Sequence, residues 1–359
     1  MCIRDRITIA DNYEITSTGT VTQDWTVEVI FANLDSDQNA NTGKTFTANL
    51  IIQEEEILNF ANYIVENIYT GTDGENDLYY HDGTGTYGTQ EAGDNSYRYT
   101  GANPNNYVCF GSDEELCPND NLYRIIGVFD NQIKLIKYDY AGETILGTAP
   151  ASSGSPNAGY YKGSLSLLSY YYWSGLSSNQ SNDWSASELN INVLNGTYLT
   201  NLGSKWSDLI STTSWQVGGN TDSNIRFTNA KSAYDYEIVN PVEVTTYLAK
   251  IGLMYMSDYY YGATPIYWSY PGYNSSNTND YRSAINDNWM FIGGSDWTIT
   301  HNSDTTDIAF GIDSTGAPYF YTVNVSGRGI RPVFYLNANV ILTGGNGTSA
   351  DPYRIQTGA

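Results

Sequence analysis

Leu122-Tyr123-Arg124-Ile125-Ile126-Gly127-Val128-Phe129, then Asp130-Asn131, then Gln132-Ile133-Lys134-Leu135-Ile136-Lys137-Tyr138 reads as a β-hairpin. Two apolar-rich runs flank a two-residue loop, the commonest hairpin connection. Working toward the C-terminus, further short strands are expected at 214–217, 251–256, 297–300, 307–312, 319–323, 331–336 and 352–355, with Asp313-Ser314-Thr315-Gly316 as a hairpin turn. One helix interrupts them. Ser185-Ala186-Ser187-Glu188 has the form of a capping box, and Ile191, Leu194, Tyr198 and Leu202 fall on one stripe behind it. Gly196 within that helix costs about 1 kcal/mol against Ala.

Toward the N-terminus, residues 7–53 carry three strand-like runs at 7–9, 25–31 and 46–52. Three strands cannot bury both faces of a sheet, so this segment reads as part of a larger β-sandwich. Ile57, Phe60, Ala61, Ile64 and Ile68 recur at helical spacing, with three glutamates at the helix start, where the dipole favours them. Residues 71–93 are rich in Gly, Thr and Asp and read as a linker or irregular loop. Met1 to Arg6 resembles translated sequencing adapter, so the native start and any export signal are expected upstream. The resulting division is 1–6 leader, 7–53 partial sandwich, 54–95 helix and linker, and 96–359 main domain.

Composition narrows the function. Thirty-nine acidic side chains face 16 basic ones in 359 residues, a net charge of −23. A nucleic-acid binder needs a basic face, and anionic membrane repels such a chain. No nucleic-acid partner and no integral membrane segment are therefore expected; no window reaches 18 apolar residues. Charge is replaced by 33 Tyr, 34 Gly and many Asn, Ser and Thr.

Catalytic signatures are thin. His81 and His301 lie in polar stretches and read as solvated loop residues. Zinc needs three or four closely placed ligands, and the chain has no Cys-x-x-Cys and no Gly-x-Ser-x-Gly elbow. The expectation is no enzyme, with a carboxylate-based hydrolase as the remaining enzymatic alternative. Asp35, Asp37, Asn39 and Asn41 place oxygens at alternate positions, a pattern that suits calcium, and 73–77 is a weaker candidate. Seven residues separate Cys109 from Cys117, and the two are expected to be bonded, which in the loop-entropy picture contributes about 2.5 kcal/mol.

The aromatic clusters are the most suggestive surface feature. Trp173, Trp184, Trp289 and Trp297 are expected in the core. Tyr259, Tyr260, Tyr261, Trp268, Tyr270 and Tyr273 lie close together beside Gly and Pro, and are expected in loops that bind a ligand. Flat amphipathic rings suit both glycan and protein partners. A binding site requires the rings of 259–273 and 289–321 to converge on one patch.

The segment Trp184-Ser185-Ala186-Ser187-Glu188-Leu189-Asn190 with Val193-Leu194-Asn195-Gly196-Thr197-Tyr198 resembles a bacterial domain family without assigned chemistry. Ile251-Gly252-Leu253-Met254-Tyr255-Met256-Ser257, Asn288-Trp289-Met290-Phe291, the 313–316 turn and Gly329-Ile330-Arg331-Pro332-Val333-Phe334-Tyr335-Leu336 follow in the family's order. The family occurs in surface and secreted proteins of gut-type Firmicutes. Its closing strands look like those of the formylglycine-generating-enzyme branch of C-type-lectin-like folds. The resemblance implies an α+β, C-type-lectin-like domain over 96–359, mostly antiparallel with one or two helices, while residues 20–53 more faintly resemble camelysin-type sandwiches. It implies an extracellular or cell-surface place in a Gram-positive bacterium and an adhesin-like binding role, or alternatively a structural fibre subunit. Formylglycine-generating enzymes use a late cysteine pair; here 288–336 contains no Cys, so oxidase activity is not expected.

Overall fold

The Leu122–Phe129 and Gln132–Lys137 strands form the predicted hairpin, and Asp130 and Asn131 at its tip have φ of 47° and 62°. Those are the left-handed conformations of a type I′ turn, whose twist matches that of the strands. The computed structural model describes residues 59–149, 159–165, 168–175, 181–324 and 326–358. The expected strands of 7–53 and the proposed calcium ligands Asp35, Asp37, Asn39 and Asn41 lie outside the described residues.

In chain order the strands are β1 (Leu78–Tyr80), β2 (Tyr97–Tyr99), β3 (Tyr107–Cys109), β4 (Leu122–Phe129), β5 (Gln132–Lys137), β6 (Tyr161–Leu165), β7 (Leu168–Tyr171), β8 (Thr213–Gln216), β9 (Thr246–Ala249) and β10 (Ile251–Gly252), followed by β11 (Asp296–His301), β12 (Ile308–Ile312), β13 (Pro318–Thr322), β14 (Val333–Tyr335), β15 (Val340–Gly344) and β16 (Arg354–Thr357). The hairpin is the middle of a seven-stranded sheet ordered β1-β2-β4-β5-β14-β10, with β3 also on β4; β11-β12-β13 form a second sheet, and three two-stranded ribbons complete the set. All of these ladders are antiparallel. With short helices between them, the described chain is α+β.

The sheet is covered on both faces, so β4 is buried from Leu122 to Val128. Gly127 is required where β2 crosses: a Cβ there would sit 2.2 Å from the Tyr97 carbonyl oxygen. Trp184, Leu194, Tyr198, Ile330 and Phe334 are all buried in one core, as are Trp173, Trp289 and Trp297. Phe334 meets Phe110 and Tyr123 at centroid distances of 4.9 and 5.5 Å. Arg331 enters the same layer and donates to Asp296 at 2.9 Å and to the Met290 carbonyl at 2.7 Å.

Two helices differ from the expectation. The helix after Trp184 has wide, π-type winding over Leu189–Tyr198 and continues as Leu199–Leu202. Its buried face is Leu189, Val193, Leu194, Tyr198 and Leu202, while Ile191 turns outward and is 46 % exposed. Wider winding spaces core contacts four to five residues apart, which takes Ile191 off the stripe. Its cap is Ser187, which accepts from the Asn190 N–H, rather than Ser185. The second difference is at 251–256, where the strand stops at Gly252 and a helix begins at Met256 (Met256–Tyr261). Buried carboxylates explain it. Glu237 accepts from the Met256 and Ser257 N–H groups, and Asp258 from the Tyr255 N–H. Three amide donors at a helix start are satisfied by negative charge.

Residues 59–95 belong to the same compact unit as the rest of Glu56–Ala359. Asn59 caps the Phe60–Tyr63 helix, Phe60 and Ile64 are buried, and Phe60 packs on Tyr353 at 5.3 Å. The stretch read as linker supplies β1 and the loop before β2. Cys109 and Cys117 are bonded, with Cα atoms 5.8 Å apart, which fits an oxidising compartment. Among the described residues no helix is long and apolar enough to cross a membrane.

Candidate functional site

The six aromatics expected to bind ligand separate into two groups. Tyr259, Tyr260, Tyr261 and Trp268 are buried, and the three tyrosines lie on the Met256–Tyr261 helix rather than in a loop. Each polar tip is satisfied by a backbone carbonyl: Tyr259 by Gly316 at 2.8 Å, Tyr260 by Ile225 at 2.7 Å, Tyr261 by Gln90 at 3.0 Å, and Trp268 by Ala263 at 2.9 Å. Burial pushes the three phenols well above their usual range. Rings so enclosed cannot stack on a ligand, so these four are corrected to core. Tyr270 and Tyr273 are half-buried. Tyr270 packs edge-on against Tyr267, whose hydroxyl donates to Asp287 at 3.1 Å.

Tyr273 belongs to a different assembly. Its N–H donates to the Arg226 carbonyl at 2.7 Å, and the Gly272 N–H donates to Thr228 at 3.0 Å, so two chain segments run side by side. Gly272 permits this approach, since a Cβ there would overlap the Tyr260 hydroxyl and Pro318. The short Asp222–Ile225 helix, capped by Thr221, delivers Arg226 to the junction. Its guanidinium is pinned by Asp222 at 2.7 Å and by the Pro318 carbonyl at 3.1 Å. Four rings stand around it: Phe320 at 4.9 Å, Tyr319 at 5.1 Å, Phe227 at 5.2 Å and Tyr273 at 5.5 Å. Arg282, clamped on Asp280, also stands over the Tyr273 ring at 4.7 Å. Phe227 is 47 % and Tyr319 41 % exposed. Tyr319 and Phe320 are nearly parallel, with centroids 4.9 Å apart.

This face joins aromatics of 259–273 to those of 289–321, but through Tyr273, Tyr319 and Phe320 alone. Sequence reading missed Arg226 and Phe227. The signal available was the Tyr319-Phe320-Tyr321 run; nothing local ties it to a guanidinium more than 90 residues earlier.

A concavity of about 670 Å³ lies beside the disulfide loop. Trp206, Leu209 and Ile355 form its apolar side. Both of its cations are engaged: Lys205 pairs with Asp113, and Arg354 donates to the Glu115 carbonyl.

Both histidines are enclosed. His81, expected in solvent, is buried against Tyr261 and Trp268 at 4.8 and 4.9 Å and accepts from the Ala92 N–H. Burial, with Arg98 nearby, holds it well below its usual range. His301 is also buried, and burial lowers it. Asp73, from the weaker calcium candidate, accepts from the Tyr80 N–H and the Tyr69 hydroxyl as a loop residue. Among the described residues no group of three or more His, Cys, Asp or Glu is placed to hold a metal. In comparison with known proteins, the chain matches no family model, no curated protein and no solved structure.

Proposed function

We propose that this protein is an extracellular binding module that recognises glycan through the face built on Arg226, Phe227, Tyr273, Tyr319 and Phe320. The observation that carries the reading is the ring of four aromatics around one immobilised guanidinium, with two of the rings open to solvent. A sugar presents an apolar face and a rim of hydroxyls. Exposed rings meet the first, and fixed planar polar groups meet the second at little entropic cost. Arg282, 26 % exposed and clamped on Asp280, supplies such a group, while the buried Arg226 holds the rings in place. The role is binding rather than catalysis. The cysteine bond favours an oxidising compartment, and the ordered motifs from Trp184 to Leu336 support a C-type-lectin-like domain on a Gram-positive surface.

The test is a glycan array with the full chain, followed by titration of the retained sugar against wild type, Phe227→Ala and Tyr319→Ala. The expected result is retention by wild type and at least tenfold weaker binding by each variant. No retained glycan, or equal retention by all three, overturns the reading and returns the structural-subunit alternative.

A further inference from the structure

The geometry points to an intramolecular amide cross-link between the side chains of Lys134 and Asp258, a modification that joins the central strand β5 to the Met256–Tyr261 helix. Lys134 Nζ lies 2.6 Å from Asp258 Oδ2, and both side chains are 2 % exposed. Four rings enclose the amine: Tyr255 at 4.8 Å, Phe129 at 5.4 Å, Tyr335 at 5.5 Å and Trp215 at 5.9 Å. The backbone holds the carboxyl in place: the Tyr255 N–H donates to the same Oδ2 at 2.9 Å, and Glu237 fixes the helix turn by accepting from Met256 and Ser257. Arg98 faces the other oxygen at 3.9 Å. Burial lowers the affinity of the Lys134 amine for its proton.

The step is a condensation that needs no further reactant. A proton passes from the ammonium to the carboxylate across their hydrogen bond, leaving a neutral amine and a carboxylic acid. The nitrogen lone pair attacks Cγ, forming the C–N bond. Oδ1, the carbonyl oxygen of the acid and the one that Arg98 faces, carries the developing negative charge, as an oxyanion does in acyl transfer. The second proton on nitrogen moves to the hydroxyl, the C–O bond breaks with its electron pair, and water leaves. One hydrogen stays on the amide nitrogen, so the three ammonium hydrogens are accounted for. Fixed contact replaces a chance encounter between the two groups, and the apolar enclosure favours a neutral amide plus released water over two buried charges.

The measurement is the intact mass of the full chain, denatured and reduced, followed by peptide mapping. Wild type should be lighter than its sequence by one water, and digestion should release a branched species joining the peptides that contain Lys134 and Asp258. Lys134→Arg, which keeps the charge but forms no such amide, should restore the full mass. Wild type at its full sequence mass overturns the inference and leaves an ordinary buried ion pair. A missing water that maps to Asp73-Gly74 or Asp82-Gly83, where succinimides form, overturns it as well. The wild-type result decides the matter even where the variant fails to fold.

Discussion

The aromatics of the Met256–Tyr261 helix and those around Arg226 are similar in type and opposite in use. In the first group each hydroxyl or indole N–H ends on a carbonyl inside the unit, and the rings fill the core. In the second the rings share one guanidinium and two keep much of their area in water. Ring density along the chain therefore does not locate a surface. What separates the two groups is the partner at the polar tip, and for the three tyrosines that partner is far away in sequence. Tyr260 reaches Ile225 and Tyr261 reaches Gln90.

The sharpest way to break this comparison is to truncate one member of each group. Trp268→Ala should destabilise the fold by about 3–5 kcal/mol, the range for a buried large aromatic. In a denaturant titration its midpoint should fall steeply, and glycan affinity measured well below that midpoint should hold. A wild-type midpoint would put Trp268 back among the surface rings.

Next in size is the bond between Cys109 and Cys117. Replacing both by Ser should cost about 2.5 kcal/mol, following the loop-entropy model for a short loop. The bond ties the end of β3 to the loop beside that concavity, whose lining includes no residue of either aromatic group, so the same assay should show unchanged glycan binding. A double variant as stable as wild type would show that the loop is already held by the Asp113–Lys205 and Glu115–Arg354 contacts.

Third comes the exposed group. Phe227→Ala and Tyr319→Ala should each weaken glycan binding by about 2 kcal/mol, the size of an aromatic hot spot. Each should move stability by only about 0.5 kcal/mol, as surface substitutions do. Calorimetric titration and thermal melting of the same samples check both halves. Lower melting with unchanged affinity would mean that these rings are structural as well.

How much was legible in the chain follows from the range of the forces. The hairpin was legible because its run lengths and Asp130-Asn131 loop are local. So was the cysteine pair, and so were the buried Trp184, Leu194 and Phe334, which sit in strongly patterned elements. The 251–256 run was misread because a short apolar stretch does not distinguish strand from helix. The deciding groups were Glu237, from 19 residues upstream of Met256, and Asp258 within the next turn. Ile191 was misplaced because a 3.6-residue period was assumed where the helix winds wider. The Arg226 face drew on three separate segments, and no local pattern announces such a meeting.

A pH test probes the roof over the buried group. The loop between β1 and β2 closes on Tyr261 and Trp268 through His81 and through the Tyr261–Gln90 hydrogen bond. Glu91 is buried in that loop and accepts from the Gly83 N–H at 3.0 Å. Burial pushes its carboxyl up to about 7 from an ordinary value of 4.5. Between those values the folded protein keeps a proton that the unfolded chain has released, so this group's contribution to stability declines as pH rises through the window. His81 works against it. Held well below 6.5 by burial, it stays neutral when the unfolded chain takes up a proton, so its contribution declines as pH falls below 6.5. Asp94 acts lower still. Burial raises it, but Arg98 and the Ser96 hydroxyl outweigh that and hold it well below the usual range, so its contribution is lost only in stronger acid. A single pH profile would blend these opposing slopes, and the difference between two proteins isolates one. Glu91→Gln keeps an acceptor for Gly83 and removes the proton. Its stability relative to wild type should therefore climb from pH 4.5 to 7, read as the gap between denaturant midpoints at each pH. A constant gap would mean that Glu91 titrates alike in both states, and that the roof over Tyr261 and Trp268 opens to water more readily than the core beneath it.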